Sequence, residues 1–301
     1  MGDVVRMTKM HGIGNDYLYV DCRGRDAVAD PPRLARAVAR RHHGIGSDGL
    51  ILVRSAPEAD CRMEMYNADG SRGEMCGNGI RCVAKYVFDR GLTRNPLRIA
   101  TDAGVKTVTV RVGPDGRAAG ATVDMGAPVL DGPRIPVAST GRVIAYPLDV
   151  GGTTWSVTCV SMGNPHCVVF VPEVAALDLA RIGPQFEHHP FFPQRVNTEF
   201  VAVRSRTVMD FRVWERGSGE TMACGTGACA ALVAGVLTGR TERRATIHLR
   251  GGDLDIEWRR GDLPSADGTP AADDHVFMTG AAAEVFTADV DLDQLYAATG
   301  V

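Results

Sequence analysis

The chain has very little lysine. Of its 33 basic residues only Lys9, Lys85 and Lys106 are lysines. None lies in a Gly/Ser-rich phosphate cradle, so a pyridoxal-phosphate Schiff base is poorly provided for. Without a Gly-Lys-Ser/Thr triplet there is no P-loop. Cys-x-x-Cys and His-Glu-x-x-His are missing too, so no metal site is expected. No apolar run reaches the roughly 20 residues that span a bilayer; the longest, Ala228–Ala234, continues past Gly235 only to Leu237. The net charge of −3 supplies no basic field for nucleic acid or an anionic membrane surface. Charges interrupt Met1–Arg6 at once, which argues against a signal peptide, and Arg6 stands where a myristoylation signal needs Ser or Thr. A cytoplasmic location is the expectation.

What is present is ordinary in bulk and unusual in arrangement. The 301 residues are 45% hydrophobic, with mean hydropathy −0.06, enough for two globular domains. Periodicity predicts strands at Val4–Met10, Tyr17–Cys22, Leu50–Arg54 and Arg62–Tyr66, with helices over Arg33–His43 and Gly79–Arg90. Gly44 is read as a C-cap. The second half predicts strands at Trp155–Ser161, Cys167–Val171, Phe200–Val203 and Thr207–Trp214, a short helix at Asp178–Ile182 and an apolar helix at Gly227–Thr238. Arg259–Asp274 reads as a polar loop. Gly44-x-Gly46-x-x-Gly49 fits a dinucleotide pattern but follows a helix and precedes a strand, the wrong order. Asp289-Val-Asp291-Leu-Asp293 opens like a calcium loop yet lacks its glycine and glutamate, and reads as a solvated tail face.

The informative feature is an internal repeat. Asn67 and Glu215, each ending a strand, both stand nine positions before a Cys-Gly-x-Gly that opens a helix. Cys76 and Cys224 are 148 positions apart, and Gly14-Asn15 and Gly163-Asn164 are 149 apart. Two motif pairs sharing nearly one offset, half the chain long, indicate two homologous halves.

A cysteine at a helix start meets unpaired amides and the positive end of the helix dipole, which favour thiolate. The same amides can hold a carboxylate. On mirrored domains two such cysteines are expected to meet in a cleft, one on each side of a ligand α-carbon. That is the arrangement of a two-base racemase or epimerase, in which one thiolate removes the α-proton and the opposite thiol returns a proton to the other face. The remaining cysteines, Cys22, Cys61, Cys82, Cys159, Cys167 and Cys229, read as small core hydrophobes.

With His11–Tyr17, Asn67–Cys82, Ser161–Val168, Asn197–Phe200, Glu187-His188-His189-Pro190, Trp214–Ala230 and Val276–Gly280, the chain resembles the diaminopimelate epimerases of lysine and peptidoglycan biosynthesis over nearly its whole length. The resemblance implies an α/β (α+β) fold of two pseudo-symmetric domains, 1–124 plus 283–301 and 125–282, each a mixed, largely antiparallel sheet curled around a central helix. It implies that Cys76 and Cys224 transfer the protons, that His166 and Glu215 tune them, and that Gly77, Asn78, Gly225 and Thr226 bind the reacting carboxylate. It places Asn15, Asn67, Asn164, Asn197, Glu215 and Arg216 around the substrate. It implies cofactor-independent conversion of LL- to meso-diaminopimelate by a homodimer. Taken singly, Asn15, Asn67 and Asn164 also fit turn formers, His166 a core histidine, and Glu215–Arg216 a surface pair. One position departs: many relatives carry Gln where this chain has Gly49. Proline or hydroxyproline racemisation is the nearest competitor, but its first motif reads Cys-Gly-His-Gly, against Asn78 here. A thiol-redox or metal-binding protein is a third reading.

Overall fold

The computed structural model describes residues 3–24, 26–259 and 274–301. The predicted loop at Arg259–Asp274 therefore lies, but for its two ends, outside the described residues. The chain forms two compact units, Met1–Val123 with Gly280–Val301, and Asp124–Thr279.

The first unit runs β1 (Val4–Gly12), β2 (Asn15–Cys22), α1 (Pro31–Ala39), β3 (Gly49–Arg54), β4 (Cys61–Asn67), β5 (Arg72–Gly73), α2 (Gly77–Phe88), β6 (Leu97–Thr101), β7 (Gly104–Val112) and β8 (Ala118–Asp124). The second runs β9 (Tyr146–Val150), β10 (Thr153–Ser161), β11 (Pro165–Phe170), α3 (Leu179–Glu187), β12 (Asn197–Ser205), β13 (Val208–Glu215), β14 (Gly219–Glu220), α4 (Gly225–Leu237), β15 (Arg244–Leu249), β16 (Gly252–Trp258) and β17 (Val276–Ala281). The chain then closes with β18 (Ala283–Asp291), antiparallel to β1, and α5 (Leu292–Thr299).

The two units share one strand grammar. In the first, β1–β2 is antiparallel, β2–β3 parallel, β3–β4 antiparallel, β4–β6 parallel and β6–β7 antiparallel. In the second, β10–β11, β11–β12, β12–β13, β13–β15 and β15–β16 repeat those senses in order. Each sheet curls around one helix. α2 touches β1, β2, β6 and β7, and α4 touches β10, β11, β12, β15 and β16. Because α4 is covered from several sides, its sequence is apolar all round, and Ala228–Ala234 is fully buried. α1 packs outside β3 and β4, so it keeps a polar face and buries Leu34, Ala35, Ala37 and Val38.

Two local expectations change. α1 stops at Ala39, since Arg40 is already extended (ψ 113°), and residues 41–43 form a turn. Gly44 is thus not a helix C-cap. It lets the turn fold back, for a Cβ there would sit 2.2 Å from the Ala37 carbonyl oxygen. α3 runs through Pro184 to Glu187, held by the burial of Ile182 and Phe186. The Asp289–Asp293 segment keeps its solvated face, with Asp289 and Asp293 exposed, while Asp291 caps α5 by accepting from the Gln294 N–H (3.1 Å) and Leu292 and Leu295 are buried.

Gly49 begins β3 at φ +153°, and a Cβ on it would lie 2.1 Å from the Tyr66 carbonyl oxygen and 2.9 Å from the Tyr17 ring. Backbone, not a yielding side chain, blocks the space. Gly49→Ala is expected to cost about 1–3 kcal/mol, read as a lower urea midpoint at unchanged slope. An unchanged midpoint would show that β3 and β4 separate without penalty.

Candidate active site

Each half builds its candidate site at the start of its central helix. In the first unit Cys76 is the N-cap of α2 (φ −128°, ψ 120°). Its sulfur accepts from the Gly79 N–H at 3.4 Å and donates to Asn15 Oδ1 at 3.3 Å. Asn15, at the start of β2, is held by a residue the sequence reading passed over. Its Nδ2 donates to Asp48 Oδ2 at 2.7 Å, and the Asp16 N–H donates to the same oxygen at 3.1 Å. Burial pushes the Asp48 carboxyl up, with the Asp16 N–H pulling the other way. Asp48 stands in the Gly46–Gly49 segment set aside as a decoy, so its chemistry was hidden in a discarded pattern.

The first turn of α2 is anchored from below. Arg81, fully buried, donates from Nη1 to the Gly77 carbonyl (3.1 Å), from Nη2 to Asn78 Oδ1 (2.9 Å) and from Nε to the Ala281 carbonyl (3.4 Å). Asn78 is itself 2% exposed. Its side-chain oxygen faces the Arg81 guanidinium inside the unit. Asn67, at the end of β4, donates from Nδ2 to Ser71 Oγ at 3.0 Å, the turn-forming use weighed for it above.

In the second unit Cys224 is the N-cap of α4 (φ −120°, ψ 106°), with Thr226 Oγ1 3.5 Å from its sulfur. Here the helix-start argument meets a stronger opponent. Burial pushes the Cys224 thiol well up, and the negative charges of Glu215 and Glu199 add to it, while the Thr226 hydroxyl and the Gly227 amide pull down less. In the free protein the thiol form is therefore favoured at Cys224, contrary to the depressed value expected from the helix dipole alone. Site-resolved alkylation with iodoacetamide is expected to show Cys224 reacting only above the pH range of an ordinary thiol. A limb at or below that range would contradict the burial argument.

His166 sits at the start of β11 with its ring fully buried. Its Nε2 lies 2.9 Å from Asn164 Oδ1 and its Nδ1 2.7 Å from Glu199 Oε1. Glu199 is the second residue the sequence reading missed. It lies within the Asn197–Phe200 segment quoted above, but strand periodicity gave it no reason to point inward. Asn197 is committed at both ends, donating to the Pro165 carbonyl (3.0 Å) and accepting from the Arg216 N–H (3.0 Å). It thereby fixes the loop that carries Arg216, whose guanidinium is exposed and donates to the Gln194 carbonyl at 3.2 Å. Glu215, half-buried, accepts from the Thr221 hydroxyl. Glu187 braces the same loop, accepting from Trp214 Nε1 (2.8 Å) and the Gly217 N–H (2.9 Å). Gly225 is buried in the first turn of α4 and Thr226 is half-buried beside Cys224.

The first unit therefore groups Cys76, Gly77, Asn78 and Asn15, while Asn67 ends β4. The second groups Cys224, Thr226, Glu215, His166 and Asn164, with Asn197 supporting Arg216. All eight cysteines are free thiols. Among the described residues no helix is long and apolar enough to cross a membrane, and no group of three or more His, Cys, Asp or Glu side chains is arranged to hold a metal ion.

Comparison with solved structures places this fold among the racemase and isomerase folds. A probable proline racemase from Agrobacterium radiobacter superposes with TM-score 0.69 at 15% identity, over 96% of this chain and 93% of that one. A PhzF-family phenazine biosynthesis protein from Bacillus anthracis gives 0.64 at 16% identity, over 95% and 99%. At the sequence level the kinship narrows. The diaminopimelate epimerase family model matches residues 7–130 and 158–283. The chain is 52% identical to a diaminopimelate epimerase of Acetivibrio thermocellus, over 97% of this chain and 100% of that protein. It is 51% identical to that of Moorella thermoacetica, over 96% and 100%. The chain belongs to the diaminopimelate epimerase family.

Proposed function

We propose that this protein interconverts LL- and meso-2,6-diaminopimelate without a cofactor, using Cys76 and Cys224 as the two proton-transferring groups. The observation that carries the reading is the duplicated N-cap cysteine, each at the first turn of a helix enclosed by its own sheet. One thiolate takes the α-proton and becomes a thiol. The carbanion left behind takes the proton of the other thiol, which becomes a thiolate. No electron is gained or lost overall, and the pair ends with its protonation states exchanged. The pair therefore titrates as a unit.

The helix-start amides at Gly77, Asn78, Gly225 and Thr226 stabilise the charge that develops on the reacting carboxylate. Arg216 pairs with the distal carboxylate, for which its exposed guanidinium is suited. Asn15, Asn67 and Asn164 and the Glu215 carboxylate serve the ammonium and carboxylate groups of the substrate. Asn197 acts by holding Arg216, and His166 and Glu215 set the electrostatics at Cys224. The return of β18 onto β1 supports domains of 1–124 plus 283–301 and 125–282. We place the enzyme in the cytoplasm as a homodimer, as the family resemblance suggests; light scattering at micromolar concentration tests the dimer.

The activity is tested by incubating the reduced protein with LL-diaminopimelate, and separately with L-proline and trans-4-hydroxy-L-proline, followed by chiral chromatography. The meso isomer from the first and no inversion of the other two is expected. Inversion of proline or hydroxyproline alone would transfer the assignment to the competing reading.

A further inference from the structure

The matched strand registers single out Glu199. Laying the β2–β3 pair Leu18↔Leu50 over the β11–β12 pair Cys167↔Thr198 brings Ile51 and Glu199 to equivalent places. Each lies beneath the glycine of its helix start. A Cβ on Gly79 would be 2.8 Å from Ile51 Cδ1, and one on Gly227 would be 2.8 Å from Glu199 Oε1 and 3.2 Å from Cys224 Sγ. An isoleucine fills that place in the first unit by packing. In the second unit a fully buried carboxyl fills it, which is costly unless it is neutralised. Packing alone does not call for it.

Glu199, His166 and Asn164 form one string, with 2.7 Å between Oε1 and Nδ1 and 2.9 Å between Nε2 and Asn164 Oδ1. An amide oxygen only accepts, so Nε2 carries a proton. The short contact at Nδ1 holds a second proton, on either the ring or the carboxyl. Both placements give the string no net charge. Removing one proton would leave a buried anion whose Oε2 has no hydrogen-bond partner among the described residues. The titratable groups around Glu199 are His166 and Cys167 on β11, Glu215 at the end of β13, and Cys224 at the start of α4. Burial pushes the Glu199 carboxyl up, and Glu215 pushes it further against the pull of His166.

We infer that Glu199 is a positioning residue for the reaction: by keeping the string neutral and His166 Nε2 protonated, it fixes the Asn164 amide with its oxygen on the histidine and its NH2 turned to the substrate carboxylate. The inference rests on the proposed contact of Asn164 with substrate. The first unit does the converse, for Asp48 takes the NH2 of Asn15 and turns its oxygen to Cys76. The two asparagines thus present unlike groups, an acceptor in one half and a donor in the other.

The test uses the full chain, Glu199→Ile (the residue type of the first unit) and Glu199→Gln, whose NH2 can stand where the carboxylic O–H stands. Nitrogen-15 NMR of the ligand-free protein reads the His166 ring directly. In the wild type Nε2 is expected to carry a proton. In Glu199→Ile the ring is expected to mix tautomers and kcat/KM for epimerisation to fall at least tenfold. Glu199→Gln is expected to restore the protonated Nε2 and to recover most of that loss. An unprotonated Nε2 in the wild type overturns the inference, whether or not Glu199→Ile folds. So does a Glu199→Gln variant as impaired as Glu199→Ile, because charge rather than positioning would then be at work. The ring measurement needs no substrate. A protonated Nε2 in a protein that does not epimerise diaminopimelate supports the string and defeats the activity reading alone.

Discussion

Cys76→Ala and Cys224→Ala are each expected to lower kcat/KM for diaminopimelate epimerisation by roughly 10³-fold or more. That is the scale of losing a positioned acid or base, about 4 kcal/mol of transition-state stabilisation. The two losses are expected not to add in the double variant, since a two-base reaction fails when either partner is missing. Neither substitution should unfold the protein. Cys76 is only half-buried, and its capping bond to Gly79 is long at 3.4 Å. Cys224 shows no side-chain capping bond, only the weaker pull of the Gly227 amide. Circular dichroism and melting curves of the variants check that the loss is chemical. A variant within tenfold of wild type at either position would remove that cysteine from the reaction.

The second large effect is expected in stability. Arg81→Met keeps most of the side-chain volume but removes every donor from a position that is fully buried. The Gly77 carbonyl and Asn78 Oδ1 then lose the bonds recorded at 3.1 and 2.9 Å. Hydrogen bonds from a charged donor are worth about 1.5–3 kcal/mol each. A loss of about 3–5 kcal/mol and a Tm lower by about 10 °C are expected. Because both acceptors belong to the first turn of α2, the turn carrying Cys76 loosens with them, and amide hydrogen exchange at Gly79 and Ile80 should rise. A melting temperature unchanged by Arg81→Met would show that the helix start is held by its sheet alone.

Much of this molecule was legible in its residues, for identifiable reasons. The repeat was legible because both halves must open a helix with cysteine and glycine at one spacing, a constraint that survives divergence elsewhere. The central helices were legible because helical spacing and an enclosing sheet leave strong apolar signals. Helix ends were less so. Gly44 reads as a cap by its type, yet serves a close approach that only three dimensions reveal. The aspartates around Asp291 read as a solvated face and Asp289 and Asp293 are exposed, but the helix cap that Asp291 makes and the burial of Leu292 and Leu295 beside it were not legible.

Within the site, the residues that touch the thiols were found by motif. Those that stand one step behind, Asp48 and Glu199, were not. Each is a lone acid among ordinary neighbours, and its meaning arises only from β2–β3 and β11–β12 register. At Cys224 the helix dipole is outweighed by its surroundings. A sequence displays the amides of a helix start but not the burial and the two carboxylates that oppose them.

The most direct measurement of the two-cysteine account is solvent hydrogen exchange during a single passage of substrate. LL-diaminopimelate is incubated with the reduced protein in D2O, and deuterium is located by NMR in both the product and the recovered substrate. The account predicts meso product with deuterium at the inverted α-carbon, since the delivering thiol has equilibrated with solvent. It predicts that both exchange and inversion disappear in Cys76→Ala and in Cys224→Ala. Meso product formed without deuterium at the inverted carbon, or exchange and inversion persisting in either variant, would contradict it.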